Sequence, residues 1–129
     1  MPEPILHVQG LKKYFEIKKG LFRRVAGYVR AVDGVSFDVL PGETLGLVGE
    51  SGCGKTTVGR TIMRALSPTD GRIVFTPNGK GSYELGKMSP RELKRLRPLM
   101  QMIFQDPYSS LSPRMTVRAI ISEPMRINN

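Results

Sequence analysis

A run of nine residues has the types and spacing needed to hold a chain of phosphates. It reads Gly49-Glu50-Ser51-Gly52-Cys53-Gly54-Lys55-Thr56-Thr57 and fits the pattern G-x-x-x-x-G-K-[ST]. Glycines allow the positive φ and close approach that let several backbone N–H groups point at phosphate oxygens. Lys55 can add a positive charge at the β- and γ-phosphates, and the Thr56 hydroxyl can ligate Mg²⁺. The sequence therefore predicts a P-loop that binds a nucleoside triphosphate.

The residues around the loop predict a strand before it and a helix after it. Thr44 to Val48 is uniformly apolar after its first residue, as in a buried parallel strand. After the loop, apolar residues recur at helical spacing, at Val58, Ile62, Ala65 and Leu66. Such a helix directs its partially positive N-terminus at the phosphates.

The N-terminal part predicts an antiparallel sheet with one solvated face. Ile5 to Leu11 suits a strand, and Val35, Phe37 and Val39 alternate with polar residues in a second extended region that begins near Tyr28. The segment between them is rich in lysine and arginine and is interpreted as a solvated loop. His7, the single histidine, is expected on an exposed face and makes no metal site.

Further elements are predicted after the first helix. Ser89-Pro90-Arg91-Glu92 is a capping box with proline at the first helical position. In chain order we expect a turn at 67–71, a strand from Arg72 to Thr76, a loop or hairpin from Pro77 to Met88, a short basic helix to about Arg97, a strand-like segment from Met100 to Phe104, and a helix near Val117 to Glu123.

The charge of the chain is strongly positive and unevenly distributed. The formal net charge is +9, and one basic stretch faces only Glu16 in its own neighbourhood: Lys12, Lys13, Lys18, Lys19, Arg23, Arg24 and Arg30. No nucleic-acid-binding motif accompanies these residues, so no nucleic-acid partner is expected and a solvated stretch is favoured. Attraction to an anionic membrane surface is the alternative.

Other global features indicate a cytosolic chain without a membrane span. No apolar run approaches the roughly 18 to 20 residues that cross a bilayer, and the N-terminus lacks the pattern of a secretion signal. The single cysteine, Cys53, fits a reducing compartment. Its position near Lys55 permits a reactive thiol, although a small residue tolerated between two glycines is the simpler interpretation.

The order of elements resembles the ATP-binding subunit of ABC transporters, and nearly the whole chain takes part in the resemblance. It rests on the antiparallel strands before the P-loop, on the P-loop itself, and on Ile103-Phe104-Gln105-Asp106-Pro107 some fifty residues later. Two longer stretches are similar to the oligopeptide and dipeptide importers, namely 27–37 (GYVRAVDGVSF) and 104–111 (FQDPYSSL). Nickel and glutathione importers have similar sequences in these two stretches, so they remain alternatives.

The resemblance implies roles for two residues outside the P-loop. Phe15 is similar to the aromatic residue on which adenine stacks; Tyr14 is the neighbouring candidate, and either ring can instead simply pack on the sheet. Gln105 is similar to the Q-loop glutamine, which contacts Mg²⁺ or the attacking water. Lys55 and Gln105 are therefore the expected catalytic residues, and Thr56 and Gln105 the expected Mg²⁺ ligands.

The resemblance also implies an architecture and partners. We expect an α/β P-loop NTPase fold of the ABC type, with an antiparallel β-subdomain beginning in residues 1–44 and the P-loop core in 45–129. Expected partners are transmembrane permease subunits, faced by residues 106–115, and a second nucleotide-binding subunit that is identical or a paralogue. The expected location is peripheral, on the cytoplasmic side of the cell membrane.

Several family motifs do not occur in this sequence. There is no Leu-Ser-Gly-Gly-Gln signature, no Walker B aspartate with its adjacent glutamate, and no switch histidine after the P-loop. We therefore expect an incomplete core, a chain that is inactive by itself, and marginal stability or association.

Three other interpretations stay open at this point. Asp106 could be the Mg²⁺-binding Walker B residue, although Gln105 breaks the apolar run before it. The chain could be a P-loop kinase, or it could be a nucleotide-binding module without catalytic function.

Overall fold

The structure is a computed structural model that describes residues 3–21, 23–77, 81–106 and 111–127. Its first two strands, β1 (Leu6–Lys19) and β2 (Arg24–Val39), form a long antiparallel hairpin. The predicted solvated loop was wrong over most of its length, because cross-strand pairing continues to Lys19 opposite Arg24. The β-branched residues Ile17, Val25 and Val29 occur among the basic residues of both strands, and such residues favour extended backbone.

Two further strands extend the hairpin into a four-stranded antiparallel sheet. β3 (Asp70–Phe75) pairs with β1, and β4 (Tyr83–Glu84) pairs with β3, giving the order β2-β1-β3-β4. The strand predicted at 72–76 is confirmed, with bounds 70–75. The segment 77–88, predicted as a loop or hairpin, forms no hairpin of its own among the described residues, since β4 pairs with β3 and residues 78–80 lie outside them. Gly71 has φ +95, and a Cβ there would lie 2.6 Å from the Leu11 Cα, so only glycine fits this approach of β3 to β1.

The helix after the P-loop, α1 (Lys55–Ile62), is shorter than its apolar pattern predicts. Arg64 adopts φ +53, which is incompatible with continuing a right-handed helix, so Ala65 and Leu66 lie beyond its end. The Arg97 guanidinium donates hydrogen bonds to the carbonyls of Met63 (2.5 Å) and Arg64 (3.3 Å). A side chain from a distant element thus satisfies carbonyls that this helix end leaves free.

The capping box is confirmed at the start of α2 (Pro90–Leu96). The Glu92 backbone N–H donates to the Ser89 hydroxyl at 3.4 Å, and the Ser89 backbone N–H donates to the Glu92 carboxylate at 2.7 Å. Short 3₁₀ turns precede and follow this helix, at Leu85–Lys87 and Arg97–Leu99. The last helix is α3 (Val117–Ile127), where a helix was predicted, and it contains Pro124.

One core joins the sheet to the first two helices. Its buried side chains come from β1, β2, β3, α1, the first 3₁₀ turn and α2: Val8, Leu11, Val32, Val58, Ile62, Ile73, Phe75, Leu85, Leu93 and Leu96. Because Val58 and Ile62 pack in the same cluster as Val32, the core fixes α1, and with it the P-loop, against β2.

The predicted buried parallel strand at 44–48 and the predicted strand-like segment at 100–104 are both wrong for this structure. Both segments are described without strand pairing, and Val48 and Ile103 are 94% and 98% exposed. A strand needs a hydrogen-bonded neighbour, and within the described residues no segment pairs with either one. Among the same residues, no helix is both long enough and apolar enough to cross a membrane.

Candidate functional site

The P-loop residues form an exposed loop that turns directly into α1. Gly52 and Gly54 adopt φ +81 and +100, the left-handed conformations for which glycine was predicted here. Gly54 is the N-cap of α1, so the first helical residue is Lys55. The loop therefore leads directly into the N-terminus of α1, whose free N–H groups suit an anion.

Lys55 folds back over the loop that precedes it. Its ammonium donates hydrogen bonds to the carbonyls of Gly49 (2.7 Å) and Glu50 (2.6 Å), and it lies 3.5 Å from the Cys53 Sγ. These contacts hold one full positive charge at the centre of the loop. An ammonium in that position attracts phosphate oxygens from whichever side they enter.

The loop is held against β2 by a backbone contact. A Cβ at position 54 would lie 2.3 Å from the Ala31 carbonyl oxygen and 4.0 Å from the Val32 Cγ2. Ala31 is the extra residue of a bulge, since Lys13 pairs with Val32 while Tyr14 pairs with Arg30. Gly54 is thus required both for its positive φ and for the space its missing side chain leaves.

Thr56 and Gln105 line one open cleft of about 400 Å³, although 49 positions separate them in the chain. The other lining residues are Gly59, Arg60, Met102, Ile103, Phe104 and Asp106. A hydroxyl and an amide oxygen are hard, neutral ligands that suit Mg²⁺ shared with phosphate oxygens and water. Among the described residues, no group of three or more His, Cys, Asp or Glu side chains could hold a metal by itself.

The two candidate stacking rings lie on opposite faces of the hairpin. Lys13 and Phe15 share one face, with the Lys13 Nζ 5.0 Å from the centre of the Phe15 ring. Lys13 pairs with Val32, whose side chain approaches Gly54, so this face is the one that carries the P-loop. The Phe15 side chain is 39% exposed there.

Tyr14 is engaged on the other face. Its hydroxyl donates a hydrogen bond to Asp33, and the Arg30 guanidinium lies 5.6 Å from its ring centre. The hydrogen bond to Asp33 raises the pKa of the Tyr14 phenol, so the hydroxyl stays protonated and keeps donating. These partners hold Tyr14 away from the P-loop.

The structure brings some predicted site residues together and leaves others apart. The P-loop residues Gly52, Gly54, Lys55, Thr56 and Thr57 surround one depression, and Thr56 connects it to the cleft of Gln105. Phe15 and Tyr14 both line a separate shallow depression, with neighbours that include Lys13 and Thr69. Of the segment 106–115 predicted to face permease subunits, residues 107–110 lie outside the described residues.

Two site residues were missed by sequence reasoning. Arg60 lines the Thr56 cleft, and its position four residues after Thr56 places both on one face of α1, which the spacing could have shown. Ala31 lines the P-loop depression and contacts Gly54 through its carbonyl. No local signal in the sequence marks that contact, because it depends on the bulge in β2.

The fold and the P-loop together define an ATP-binding cassette. The family profile described as ABC transporter matches residues 32–127, which is most of the chain. The chain therefore belongs to the ABC transporter family, and membership in it implies nucleotide binding.

Curated relatives match nearly the whole chain. The oligopeptide transport ATP-binding protein AppF of Bacillus subtilis is 52% identical over 98% of this chain, and OppF of the same species is 48% identical over 99%. The glutathione import ATP-binding protein GsiA of Salmonella paratyphi A is 50% identical over 98%. The chain spans only 37% of AppF, 38% of OppF and 19% of GsiA.

Solved structures confirm the fold. The ATP-binding cassette MJ0796, in a dimeric post-hydrolysis state bound to ADP and Pi, matches with a TM-score of 0.74 at 18% identity. The match covers 96% of this chain and 48% of that one. The predicted ABC-type P-loop fold with an N-terminal antiparallel sheet is thereby confirmed.

Proposed function

We propose that this chain binds Mg-ATP as part of the energy-coupling subunit of an ABC importer for oligopeptides or dipeptides. The observation that carries the proposal is the cleft that Thr56 of the P-loop lines together with Gln105, while Thr56 and Lys55 both line the P-loop depression. Lys55 and Thr56 are adjacent in the P-loop, whereas Gln105 comes from a segment 49 positions away, and all three groups suit a metal-bound triphosphate.

Each residue has a stated task in this proposal. The loop N–H groups and Lys55 hold the phosphates, Thr56 and Gln105 hold Mg²⁺ and its water, and Phe15 stacks on adenine. Bound Mg²⁺ supplies positive charge that offsets the charge on the phosphates. Gln105 orients water without adding a negative charge that would repel the phosphates.

The names of the relatives support the substrate class. AppF and OppF are oligopeptide transport proteins, and peptides are therefore the proposed cargo. GsiA is a glutathione import protein of similar identity, so glutathione, itself a small peptide, is the second candidate. A nickel importer stays the third interpretation of the sequence.

The proposed partners are permease subunits and a second nucleotide-binding subunit, with the protein peripheral on the cytoplasmic side of the membrane. The dimeric form of MJ0796 supports pairing around nucleotide. Purification of the assembled transporter would show whether the second nucleotide-binding subunit is identical to this one or a paralogue.

The test is ATP binding and hydrolysis by this chain with Mg²⁺, measured in parallel on Lys55→Ala. We expect Lys55→Ala to weaken ATP binding at least about tenfold, because it removes a charge-assisted contact to phosphate. Lys94→Ala is the matched control, since Lys94 is an exposed lysine of α2 far from the loop in sequence. Unchanged affinity in Lys55→Ala would overturn the proposal.

Turnover discriminates between the remaining interpretations. Lys55-dependent binding without hydrolysis is expected, because the sequence contains no assigned carboxylate to orient the attacking water. Lys55-dependent hydrolysis that is abolished by Asp106→Asn would instead favour Asp106 as the Walker B residue.

A further inference from the structure

The distal part of the β1–β2 hairpin projects from the sheet as a two-stranded ribbon. β3 pairs with β1 only as far as Lys12 opposite Asp70, whereas β2 pairs with β1 to Lys19. The six residues Tyr14–Lys19 span about 20 Å at roughly 3.3 Å per residue. Two-stranded ribbons are marginal in water, so a surface that covers this one would stabilise it.

The end of the ribbon concentrates positive charge. Lys18, Lys19, Arg23 and Arg24 are all exposed, and the only acidic residue between positions 12 and 32 is Glu16. Glu16 is 3.2 Å from the Lys18 ammonium, which offsets one of these charges. The remaining three cations have no acidic residue of their own ribbon to neutralise them.

Aliphatic side chains are exposed among these cations. Leu21, in the turn, is 96% exposed, and its neighbours Val25 and Ile17 are 46% and 41% exposed. Basic residues interleaved with exposed aliphatic ones are the composition of segments that lie in the headgroup region of a membrane. The phosphate backbone of a nucleic acid would attract the cations equally, but it offers no apolar layer into which Leu21 could insert.

We propose that the ribbon tip, defined as Lys18, Lys19, Leu21, Arg23 and Arg24, binds the surface of an anionic lipid bilayer. The cations contact lipid phosphates, and Leu21 enters the boundary between headgroups and acyl chains. This contact is independent of nucleotide, and it would hold one edge of the antiparallel sheet at the membrane directly.

The experiment measures binding of the 129-residue chain to vesicles of phosphatidylglycerol and phosphatidylcholine, and to phosphatidylcholine alone, by co-sedimentation. The triple variant Lys19→Gln, Arg23→Gln, Arg24→Gln should bind anionic vesicles about a hundredfold more weakly, at roughly fivefold per charge. Binding of the unmodified chain should fall as salt is raised, since salt screens exposed charges.

The matched control removes three exposed cations of α2 instead, in Arg91→Gln, Lys94→Gln, Arg95→Gln. Both triple variants lower the net charge by the same amount. Their vesicle affinities therefore differ only if the lipid binds at the ribbon tip. Equal loss in the two triples would overturn the proposal, because overall charge would then explain the attraction. Circular dichroism on both triples verifies that they fold alike.

Leu21→Ser separates a membrane from a nucleic acid as the occupant. We expect it to weaken vesicle binding about tenfold and to leave binding to a short DNA duplex unchanged. Unchanged vesicle binding in Leu21→Ser, with duplex binding that depends on the tip cations, would overturn the lipid proposal. ATP affinity is measured on the same samples, because its loss would count against the nucleotide site and not against the tip.

Discussion

At the residue scale, the P-loop depends on contacts that are short and specific. Gly54 has left-handed backbone and faces the Ala31 carbonyl, and Lys55 is held by two carbonyls of the preceding loop. The loop is thus shaped by its own glycines, by one lysine, and by a strand that precedes it in sequence. Each of these contacts involves a backbone carbonyl, that of Ala31, Gly49 or Glu50.

Nucleotide base recognition is a residue-scale prediction about Phe15. Phe15→Leu should weaken ATP about tenfold and leave inorganic triphosphate binding unchanged, because it removes stacking but no phosphate contact. Tyr14→Leu is the matched control, since Tyr14 lies on the opposite face with Asp33 and Arg30. Titration calorimetry with both ligands provides the measurement.

Two results would contradict this role for Phe15. An equal loss for ATP and for triphosphate would make the ring structural. A larger loss of ATP affinity in Tyr14→Leu would transfer the stacking role to the neighbouring ring.

At the element scale, the position and bounds of α2 are determined by residues within the helix and its cap. Its capping box satisfies backbone donors at the helix start with Ser89 and Glu92, and Leu93 and Leu96 place one face in the core. All of these features lie within eight residues. Local consistency of this kind explains why the helix was predicted with nearly correct bounds.

The capping box gives a prediction about acid stability. The hydrogen bond from the Ser89 hydroxyl, followed by that from its backbone N–H, lowers the pKa of the Glu92 carboxyl below its ordinary value of 4.5. Because the pKa is lower in the folded state, the ionised carboxylate stabilises the folded state at pH values above the ordinary pKa. This contribution is lost as the pH falls through the folded-state pKa. Ser89→Ala should therefore destabilise more at neutral pH than near pH 3.

The measurement is urea unfolding of the unmodified chain and of Ser89→Ala at both pH values. Loss of an N-cap serine typically costs about 1 kcal/mol at neutral pH. Ser67→Ala, at an exposed serine between α1 and β3, serves as the control. A pH-independent difference between the unmodified chain and Ser89→Ala would show that Glu92 does not contribute through its charge.

The loop predicted between the first two strands is the element for which local sequence patterns gave the wrong structure. Gly20 and the basic residues indicated a loop, whereas β1 and β2 pair continuously to Lys19 and Arg24. Strand length here depends on the partner strand, which a pattern read along one segment does not include.

At the scale of the whole molecule, apolar side chains remain outside the core. Val48, Ile103 and Val117 are 94%, 98% and 72% exposed, in three separate segments. Exposed apolar surface of this extent favours association. The chain spans under two fifths of the length of each curated relative reported above.

We expect the 129-residue chain to self-associate with rising concentration. The variant Val48→Thr, Ile103→Asn should shift light-scattering mass toward the monomer, because it removes two of the most exposed aliphatic side chains. Lys94→Gln, at an exposed position of α2, is the control, since it removes no exposed aliphatic side chain. A chain that stays monomeric at all concentrations and unfolds cooperatively at high temperature would contradict the expectation.

The sequence by itself determined the P-loop, the family and the capping box, because each is a local pattern whose residue types have one physical reason to occur together. Which ring faces the P-loop was decided only by the tertiary structure, through the bulge at Ala31 and the pairing of Lys13 with Val32. The meeting of Thr56 with Gln105 and the length of the hairpin were decided there too. These features depend on strand register and on packing between distant segments, and no single stretch of sequence contains that information.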